Sequence, residues 1–337
     1  MTLKSFSIFF FLTFILLNLN GCEPHELLEK KTITSETLSI VTINMWGLPS
    51  YASYGTYSRK ERARALCEHL KTQLNEDPGY DVILVQEARG DVDEELMYCG
   101  YDLYSADYYN ENSFLEKRLY DTGLLILSRL PASKIQFHLY PKHEFDYPFL
   151  NLNQPKQRLV IEAQRNTDRG VFLIEMNHHF IGKITIGNTH LIPNYFEIDL
   201  PLLKERELEL REFFTTSIQF SKKNPLVIGG DLNIDENADI FDQNARNVDQ
   251  LWIEREEHFP GFDYSKKLDR TCSFCTPYSS KLNYEGRLDH ILGGNNLIAI
   301  DGKILFKDGL PSKKYKKNII ISDHYGVWTL FKLKQNQ

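Results

Sequence analysis

The sequence predicts an α/β protein in which two mixed β-sheets pack face to face and helices cover the outside. Three observations favour this fold class. Apolar runs of strand length occur in adjacent pairs, amphipathic segments of helical length lie between them, and the chain has no glycine-rich dinucleotide-binding fingerprint. Hydrophobic residues make up 42% and charged residues 25% of the 337 positions, which is enough apolar material for a large core.

The strand predictions rest on short β-branched and apolar runs, and the helix predictions on apolar residues three or four positions apart. The predicted strands span residues 38–43, 82–85, 123–127, 159–163, 171–175, 184–187, 226–228, 288–292, 302–306 and 326–333. A helix is predicted at residues 58–74, where Ala63, Leu66, Leu70 and Leu74 share one face. A second, longer helix is predicted at residues 200–221.

No internal repeat or low-complexity block divides this series of elements. Polar residues suited to catalysis lie on both sides of any division that could be drawn. We therefore expect one catalytic domain, residues 37–335, preceded by a short polar tether at residues 22–36.

Residues 1–21 have the features of an export signal. Lys4 precedes the apolar run Phe6–Leu17, which is too short to span a bilayer, and Gly21 provides a small residue before Cys22. Cys22 after Gly21 resembles a bacterial lipobox, so we expect lipidation at Cys22 and a cell-envelope lipoprotein. An ordinary secretion signal, giving a secreted protein, is the alternative. Removing residues 1–21 removes Lys4 and no acid, so the net charge changes from −7 to −8.

This acidity weighs against duplex DNA as a partner, because DNA-binding proteins usually carry a strong basic surface. After Cys22 the chain contains four more cysteines. In an exported protein they could form disulfides, and Cys272 with Cys275 has the spacing of half a zinc site. Without a second ligand pair we disfavour zinc. Cys67 is expected to be a buried residue of the first helix.

Asn44 and Glu87 each follow a predicted buried strand. A carboxylate at such a strand end can hold Mg²⁺, which uses few protein carboxylates and keeps coordination positions for water and substrate phosphate. The Asn44 amide could share the metal or fix a bound water. Taken alone, Glu87 could equally be a surface residue of a loop.

Asp231 and Asn233 alternate around Leu232 after another apolar run, so an extended backbone would place both side chains on one face. Asp231 could then accept a proton from an attacking water while Asn233 stabilises phosphoryl oxygens. An Asx turn is the structural alternative.

His324 and Asp289 form a candidate acid–base pair, in which the carboxylate would fix the tautomer of the imidazole. His190 ends a predicted strand and could contact the scissile phosphate. Buried structural roles are the alternative for Asp289 and His324. His178 and His179 have no comparable setting and are expected to be structural.

These residues lie in motifs that resemble, in order, those of the endonuclease/exonuclease/phosphatase superfamily. The motifs are residues 44–47, Gln86-Glu87, 188–191, 230–233, 287–292 and Ser322-Asp323-His324. The resemblance covers nearly the whole mature chain and implies a four-layer α/β sandwich with Mg²⁺-dependent phosphoester hydrolysis. It assigns Glu87 and Asn44 to the metal, with Mn²⁺ as an alternative ion. It assigns His190 to the phosphate, Asp231 and Asn233 to the nucleophile and transition state, Asp289 with His324 to a catalytic pair, and Asp323 to an auxiliary acidic role.

The amino-terminal motifs are most similar to those of neutral sphingomyelinases and related phospholipases C. The residues that carry this similarity are 44–49, 59–62 and Gln86-Glu87. The chain departs from secreted bacterial sphingomyelinases at residues 307–318, where a lysine cluster replaces exposed aromatics. This cluster is either a solvated loop or a site that attracts anionic groups. The aromatic segment Tyr140–Phe149 is a second candidate for contact with a membrane.

We therefore expect a Mg²⁺-dependent phosphodiesterase that acts on phospholipid or sphingolipid headgroups, is tethered to the membrane through Cys22, and is a monomer. The alternatives using the same centre are a secreted nuclease, which the net charge disfavours, and an inositol-phosphate or phosphoinositide phosphatase. A non-catalytic module that binds lipid or protein is the alternative of a different class.

Overall fold

Two β-sheets stand at the centre of the computed structural model. It describes residues 35–47, 57–108, 122–141, 167–193, 200–235, 252, 255–268, 271–279 and 285–334. The predicted export signal, most of the tether and the predicted strand at 159–163 lie outside these ranges. Within them, no helix is long and apolar enough to cross a membrane.

Thirteen strands are found in the described residues. They are β1 (Thr37–Asn44), β2 (Val82–Gln86), β3 (Asp102–Ser105), β4 (Leu125–Ser128), β5 (Ala132–Leu139), β6 (Gly170–His178), β7 (Gly182–His190), β8 (Leu226–Asp231), β9 (Asp289–Gly294), β10 (Leu297–Leu305), β11 (Leu310–Ser312), β12 (Lys317–Ile319) and β13 (Gly326–Leu333). One sheet has six strands in the order β10-β13-β1-β2-β4-β3, and the other has five in the order β5-β6-β7-β8-β9. β11 and β12 form a separate hairpin.

The helices are α1 (Arg59–Gln73), α2 (Asp91–Leu96), α3 (Leu200–Ser221) and the single turn α4 (Arg255–His258), and short 3-10 turns lie at Ala106–Tyr108 and Lys266–Leu268. α1 begins after Ser58, whose Oγ accepts a hydrogen bond from the Glu61 N–H at 3.4 Å. Cys67 is buried in α1, as predicted, and is a free cysteine.

The core has three parts, which define the layers. The inner faces of the two sheets pack on each other through residues such as Leu84, Phe172 and Phe331. The outer face of the six-stranded sheet packs on α1 through residues such as Leu66, and that of the five-stranded sheet packs on α3 through residues such as Phe213. The layers therefore follow one another as helices, sheet, sheet and helix. This order confirms the predicted α/β sandwich with two mixed sheets.

Each sheet contains a single parallel pair among its described strands, β1 with β2 and β7 with β8. The carboxyl ends of parallel strands lie at the same edge of a sheet, so Asn44 is level with Gln86, and His190 is level with Asp231. The antiparallel strand β9 begins at this edge, with Asp289 opposite Asp231. The fold therefore brings strand ends that are distant in sequence to one rim.

Several element predictions need correction. β10 begins at Leu297 rather than at 302, and β3, β5 and α2 were not predicted. β5 is an edge strand whose residues are partly buried or exposed, so it lacks the apolar run that reveals a buried strand. The lysine-rich segment 307–318 contains most of the β11–β12 hairpin rather than a simple loop.

Tyr140 also differs from the expectation of an interfacial residue. It is buried, and its hydroxyl lies 2.8 Å from Thr189 Oγ1, which itself donates to the Gly170 carbonyl. The rest of the aromatic segment, residues 142–149, lies outside the described residues. His178 is structural, as predicted, because its Nδ1 accepts hydrogen bonds from the Phe180 and Ile181 amides.

Candidate active site

Asn44 connects the two sheets at the rim. Its Nδ2 donates to Glu87 Oε1 at 3.0 Å and to Asp231 Oδ2 at 2.9 Å, and its Oδ1 accepts from the Trp46 N–H at 2.8 Å. Glu87 follows β2 in a left-handed conformation with φ 50°. Gly47 packs directly on it, since a Cβ at Gly47 would lie 1.9 Å from the Glu87 carbonyl oxygen. The Asn44 amide therefore holds both carboxylates in fixed positions.

The donor set around Glu87 fits a hard divalent cation. Glu87 Oε2 is buried and has no hydrogen-bond partner among the described residues. A buried carboxylate oxygen without a donor is costly unless a cation neutralises it. Asn44 Oδ1 retains a second lone pair beyond its bond to Trp46, so it could share the ion. Glu87, with support from Asn44, is a position at which a hard divalent cation would be held.

Asp231 lies at the centre of the site and is almost completely buried. Its Oδ2 faces Asn44 Nδ2, and the Nε2 atoms of His190 and His324 lie 3.5 Å and 3.7 Å from it. Burial raises the pKa of Asp231 to about 7, an effect that the nearby His324 opposes. A carboxylate with this pKa suits general-base catalysis near neutral pH.

His324 and Asp289 form the predicted pair. His324 Nδ1 lies 2.8 Å from Asp289 Oδ2, and both side chains are buried. Burial alone would lower the pKa of His324, but the carboxylates of Asp289 and Asp231 outweigh it and raise that pKa well above its usual value. His324 is therefore an imidazolium at neutral pH, able to donate from Nε2 towards the centre of the site.

A group of potential metal ligands is formed by Asp231, Asp289 and His324. Each residue offers one ligand atom, and these three atoms lie within 4.8 Å of one another. We interpret this group as an acid–base cluster rather than a metal centre. Asp289 Oδ2 and Asp231 Oδ2 already bond to His324 Nδ1 and Asn44 Nδ2, while Asp289 Oδ1, like Glu87 Oε2, is buried with no hydrogen-bond partner among the described residues.

His190 ends β7 directly beside Asp231. Burial, together with the positive charges of Arg169 and Arg89, lowers the pKa of His190 well below its usual value. His190 is therefore neutral at pH 7 and differs in charge from His324. The two imidazoles approach Asp231 as one neutral and one charged donor.

Asn188 links the two sheets just below this rim. Its Nδ2 donates to the carbonyls of Val85 and Leu125 at 2.9 Å and 2.8 Å, and its Oδ1 accepts from Gln86 Nε2 at 2.7 Å. All the polar atoms of this link are buried, so it fastens β7 of one sheet to β2 of the other.

Asn233 differs from the expectation of an extended segment. Its φ is 52°, its N–H donates to Asp231 Oδ1 at 3.0 Å, and its Nδ2 donates to the Leu191 carbonyl at 2.9 Å. The prediction of an extended backbone here is wrong, because the chain turns in an Asx-type bond after β8. The contact of Asn233 with phosphoryl oxygens stays a prediction.

Asp323 is placed by the same loop that carries His324. Ser322 Oγ lies 3.2 Å from Asp323 Oδ1 and donates to the Asn44 carbonyl at 2.5 Å. Burial raises the pKa of Asp323 to about 6. The charge of His324 opposes this increase, and the charge of Glu87 adds to it. Asp323 thus contributes negative charge on the Glu87 side of the site.

Arg62 is a residue of the site that the sequence did not identify. It lies in α1 with no exposed surface and donates to the carbonyls of Met45, Trp46 and Ile321 at 2.8–2.9 Å. It therefore ties the loop after β1 to the loop that carries His324. The only sequence signal was its place in the 59–62 motif.

Cys272 and Cys275 form a disulfide, so the zinc alternative for this pair is wrong. Two residues lie between these cysteines. Ser273 bonds to the Asp289 amide at the start of β9, and the Phe274 ring packs on the His324 imidazole. Neither residue was predicted, because no periodic pattern marks this irregular segment.

Residues 41–324 match the Endonuclease/Exonuclease/phosphatase family, which is most of the chain. The protein belongs to this family. Members of the superfamily are generally metal-dependent phosphoester hydrolases, and the buried carboxylates and imidazoles of this site agree with that chemistry.

The chain is also 30% identical over 105 residues to a proposed neutral sphingomyelinase of Drosophila melanogaster. The match covers 31% of this chain and spans only 20% of that relative. It supports the resemblance to neutral sphingomyelinases that the motifs indicated.

Three solved structures share the fold at low sequence identity. SmcL is 16% identical with a TM-score of 0.61, covering 88% of this chain and 99% of its own. The beta toxin 275-280 structure from Staphylococcus aureus is 15% identical with a TM-score of 0.57, covering 87% and 99%. A humanized D. rerio TDP2 with 14 mutations is 15% identical with a TM-score of 0.57, covering 88% and 100%.

Proposed function

We propose that this protein is a Mg²⁺-dependent phosphodiesterase that releases the phosphorylated headgroup from a sphingolipid or glycerophospholipid. The observation that carries the proposal is the buried cluster of Asp231, Asp289, His190 and His324 next to the unpartnered carboxylate oxygen of Glu87. The similarity to a proposed neutral sphingomyelinase favours a lipid as the substrate.

The charges of the site define the roles of its residues. Asp231, with its raised pKa, accepts the proton of the attacking water. His324, held by Asp289, donates from Nε2 to phosphoryl oxygens as their charge rises, and neutral His190, whose Nε2 also lies near Asp231 Oδ2, contacts the phosphate. Mg²⁺ held at Glu87 would polarise the phosphate and stabilise the negative charge of the transition state.

The surface beside the site fits an anionic, amphipathic substrate. Tyr57 packs on Tyr315 of the β11–β12 hairpin with 4.6 Å between ring centroids, and both rings are partly exposed. Trp46 is itself buried and packs on the partly exposed Tyr278 at 5.6 Å. Lys317 lies over the Tyr57 ring at 5.6 Å. Aromatic rings with lysine ammonium groups are typical of surfaces that meet a membrane interface.

Headgroup release from vesicles tests the proposal. The purified protein is incubated with sphingomyelin, phosphatidylcholine or phosphatidylinositol vesicles, with Mg²⁺ or with EDTA, and Asp231→Asn is the matched control. We expect EDTA-sensitive release of phosphocholine from sphingomyelin by the wild type and none by the control.

The alternatives have distinct outcomes in the same series. Plasmid nicking without lipid cleavage would refute the proposal and indicate a nuclease. Phosphate release from inositol phosphates without lipid cleavage would indicate a phosphatase. Tight vesicle binding without Mg²⁺-dependent turnover would favour a non-catalytic lipid-binding module.

We also propose that the protein is exported and anchored through a lipidated Cys22, which would place the enzyme at a membrane surface. The support is the short apolar run and the small residue before Cys22. Palmitate labelling of cells with and without globomycin tests this. Labelling that persists in Cys22→Ala would refute the anchor, and export of an unlabelled protein would indicate an ordinary secretion signal.

A further inference from the structure

The segment Cys272–Ser279, called here the clamp segment, lies against the catalytic pair without containing any residue of it. Ser273 is completely buried, and its Oγ accepts hydrogen bonds from the N–H groups of Leu288 and Asp289 at 3.0 Å and 3.2 Å. These two amides lie where the chain enters β9. The Ser273 hydroxyl therefore fixes the backbone that carries the Asp289 carboxylate.

The same segment also holds the loop that carries His324. The Ser273 carbonyl accepts from the Tyr325 N–H at 2.7 Å, and Thr276 Oγ1 donates to the Asp323 carbonyl at 3.2 Å. The Phe274 ring meets the His324 imidazole edge-on, with 4.8 Å between ring centroids. The residues on both sides of His324 and its ring are thus in contact with the clamp segment.

The clamp segment is itself closed and anchored. The disulfide between Cys272 and Cys275 encloses Ser273 and Phe274, and both of their amides donate to the Gly286 carbonyl, at 3.1 Å and 2.9 Å. The Gly286 N–H donates back to the Phe274 carbonyl at 3.3 Å. A short loop restrained in this way has few alternative conformations.

We infer that the clamp segment sets the separation and orientation of Asp289 and His324, with Ser273 and Phe274 as positioning residues and the disulfide as the restraint that holds them. Asp289 begins β9 and His324 precedes β13, which belong to different sheets. Ser273 bonds to both backbones, so it links the two halves of the pair directly. This inference rests on the proposed phosphodiesterase function of the site.

Kinetics with bis(4-nitrophenyl) phosphate and Mg²⁺ test the inference, because this small diester reports the chemistry without a lipid interface. The variants are Ser273→Ala, Ser273→Thr, Phe274→Leu and Cys272→Ser/Cys275→Ser. We expect Ser273→Ala, Phe274→Leu and the double cysteine variant to lower kcat on the order of tenfold with KM within about twofold of the wild type, since small misplacements of catalytic groups reduce rate more than binding. Ser273→Thr, which keeps the acceptor, should restore most of the rate.

Matched controls lie elsewhere on the fold. Ser133→Ala removes a β5 hydroxyl that donates to the Glu175 carbonyl of β6, and Phe180→Leu changes an exposed ring. Cys67→Ala/Cys99→Ala removes the two buried free thiols of the described residues. These variants should keep the wild-type kcat. The inference is overturned if the clamp variants keep kcat within about twofold, or if Ser273→Thr is no better than Ser273→Ala.

A second measurement separates failure of this inference from failure of the proposed function and does not require turnover. In ¹³C-histidine NMR, with the His324 resonance assigned through His324→Gln, Ser273→Ala should shift the His324 signal and leave that of His178 unchanged. An unshifted His324 signal would overturn the inference even if the wild type hydrolyses the diester. A shifted signal in a protein without diesterase activity would support the positioning role and refute the proposed function.

Discussion

Replacing Arg62 by methionine should destabilise the protein by about 3 kcal/mol, because it leaves buried carbonyls without a donor. Four carbonyls lose the guanidinium; that of Tyr57 is only partly buried, and the three buried ones, of Met45, Trp46 and Ile321, cost about 2 kcal/mol each. Burial lowers the pKa of Arg62 from 12.5 to about 10, so the charged group is itself disfavoured there by ~3 kcal/mol, and methionine relieves that cost. The difference is about 3 kcal/mol, equivalent to a Tm decrease of roughly 6–12 °C.

The assay is urea unfolding followed by circular dichroism at pH 7, with Arg64→Met as the matched control. Arg64 lies in the same helix but is 44% exposed, and its two hydrogen bonds to Glu95 are at the surface, while its other partner, Glu61, is largely buried. Surface pairs contribute less than about 1 kcal/mol, so the control should unfold near the wild-type midpoint. Equal midpoints for the Arg62 and Arg64 variants would show that the carbonyls find other donors and that Arg62 does not hold the two loops together.

Three further predictions concern the site and a buried acid. Asp231→Asn and His324→Ala should each lower kcat on the order of 10²–10⁴-fold in a protein that still folds; near-wild-type turnover of either folded variant would exclude its catalytic role. Glu87→Gln should weaken Mg²⁺ binding in isothermal titration calorimetry, and an unchanged affinity would place the metal elsewhere. Burial raises the pKa of Asp81 from 3.8 to about 6, so its stabilising contribution is complete below pH 3.8 and is lost as the pH rises through 6. The free energy of unfolding of the wild type should therefore fall by ~2 kcal/mol relative to Asp81→Asn between pH 4 and pH 7, and parallel pH profiles would refute the raised pKa.

The part of the site that could be predicted from the sequence is the part at the ends of buried strands. Asn44, Glu87, His190 and Asp231 each follow an apolar run, and such runs identify strands whatever the topology. The spacing of the motifs could not show which strands are parallel neighbours. That pairing, β1 with β2 and β7 with β8, is what brings these side chains to one rim.

The residues that were missed depend on contacts between irregular segments. A charged residue on an amphipathic helix is expected at the surface, but Arg62 is buried because two loops turn their carbonyls towards it. Ser273 lies outside the named strands, and the amides that it satisfies lie about 15 residues further along the chain. Local sequence patterns contain no information on such partners.

Under the proposed function, chemistry and substrate selection are encoded in different parts of this chain. The hydrolytic groups lie at strand ends that the Asn188–Gln86 bond and Arg62 hold in place, so their geometry is a property of the sandwich itself. The aromatic and lysine side chains proposed to meet a lipid lie on the β11–β12 hairpin and on loops, where substitutions have little effect on the core. Exchanging the lysines of the hairpin should therefore change the lipid preference while leaving the hydrolysis of a small soluble diester intact. The reverse result would place the hairpin lysines within the hydrolytic machinery.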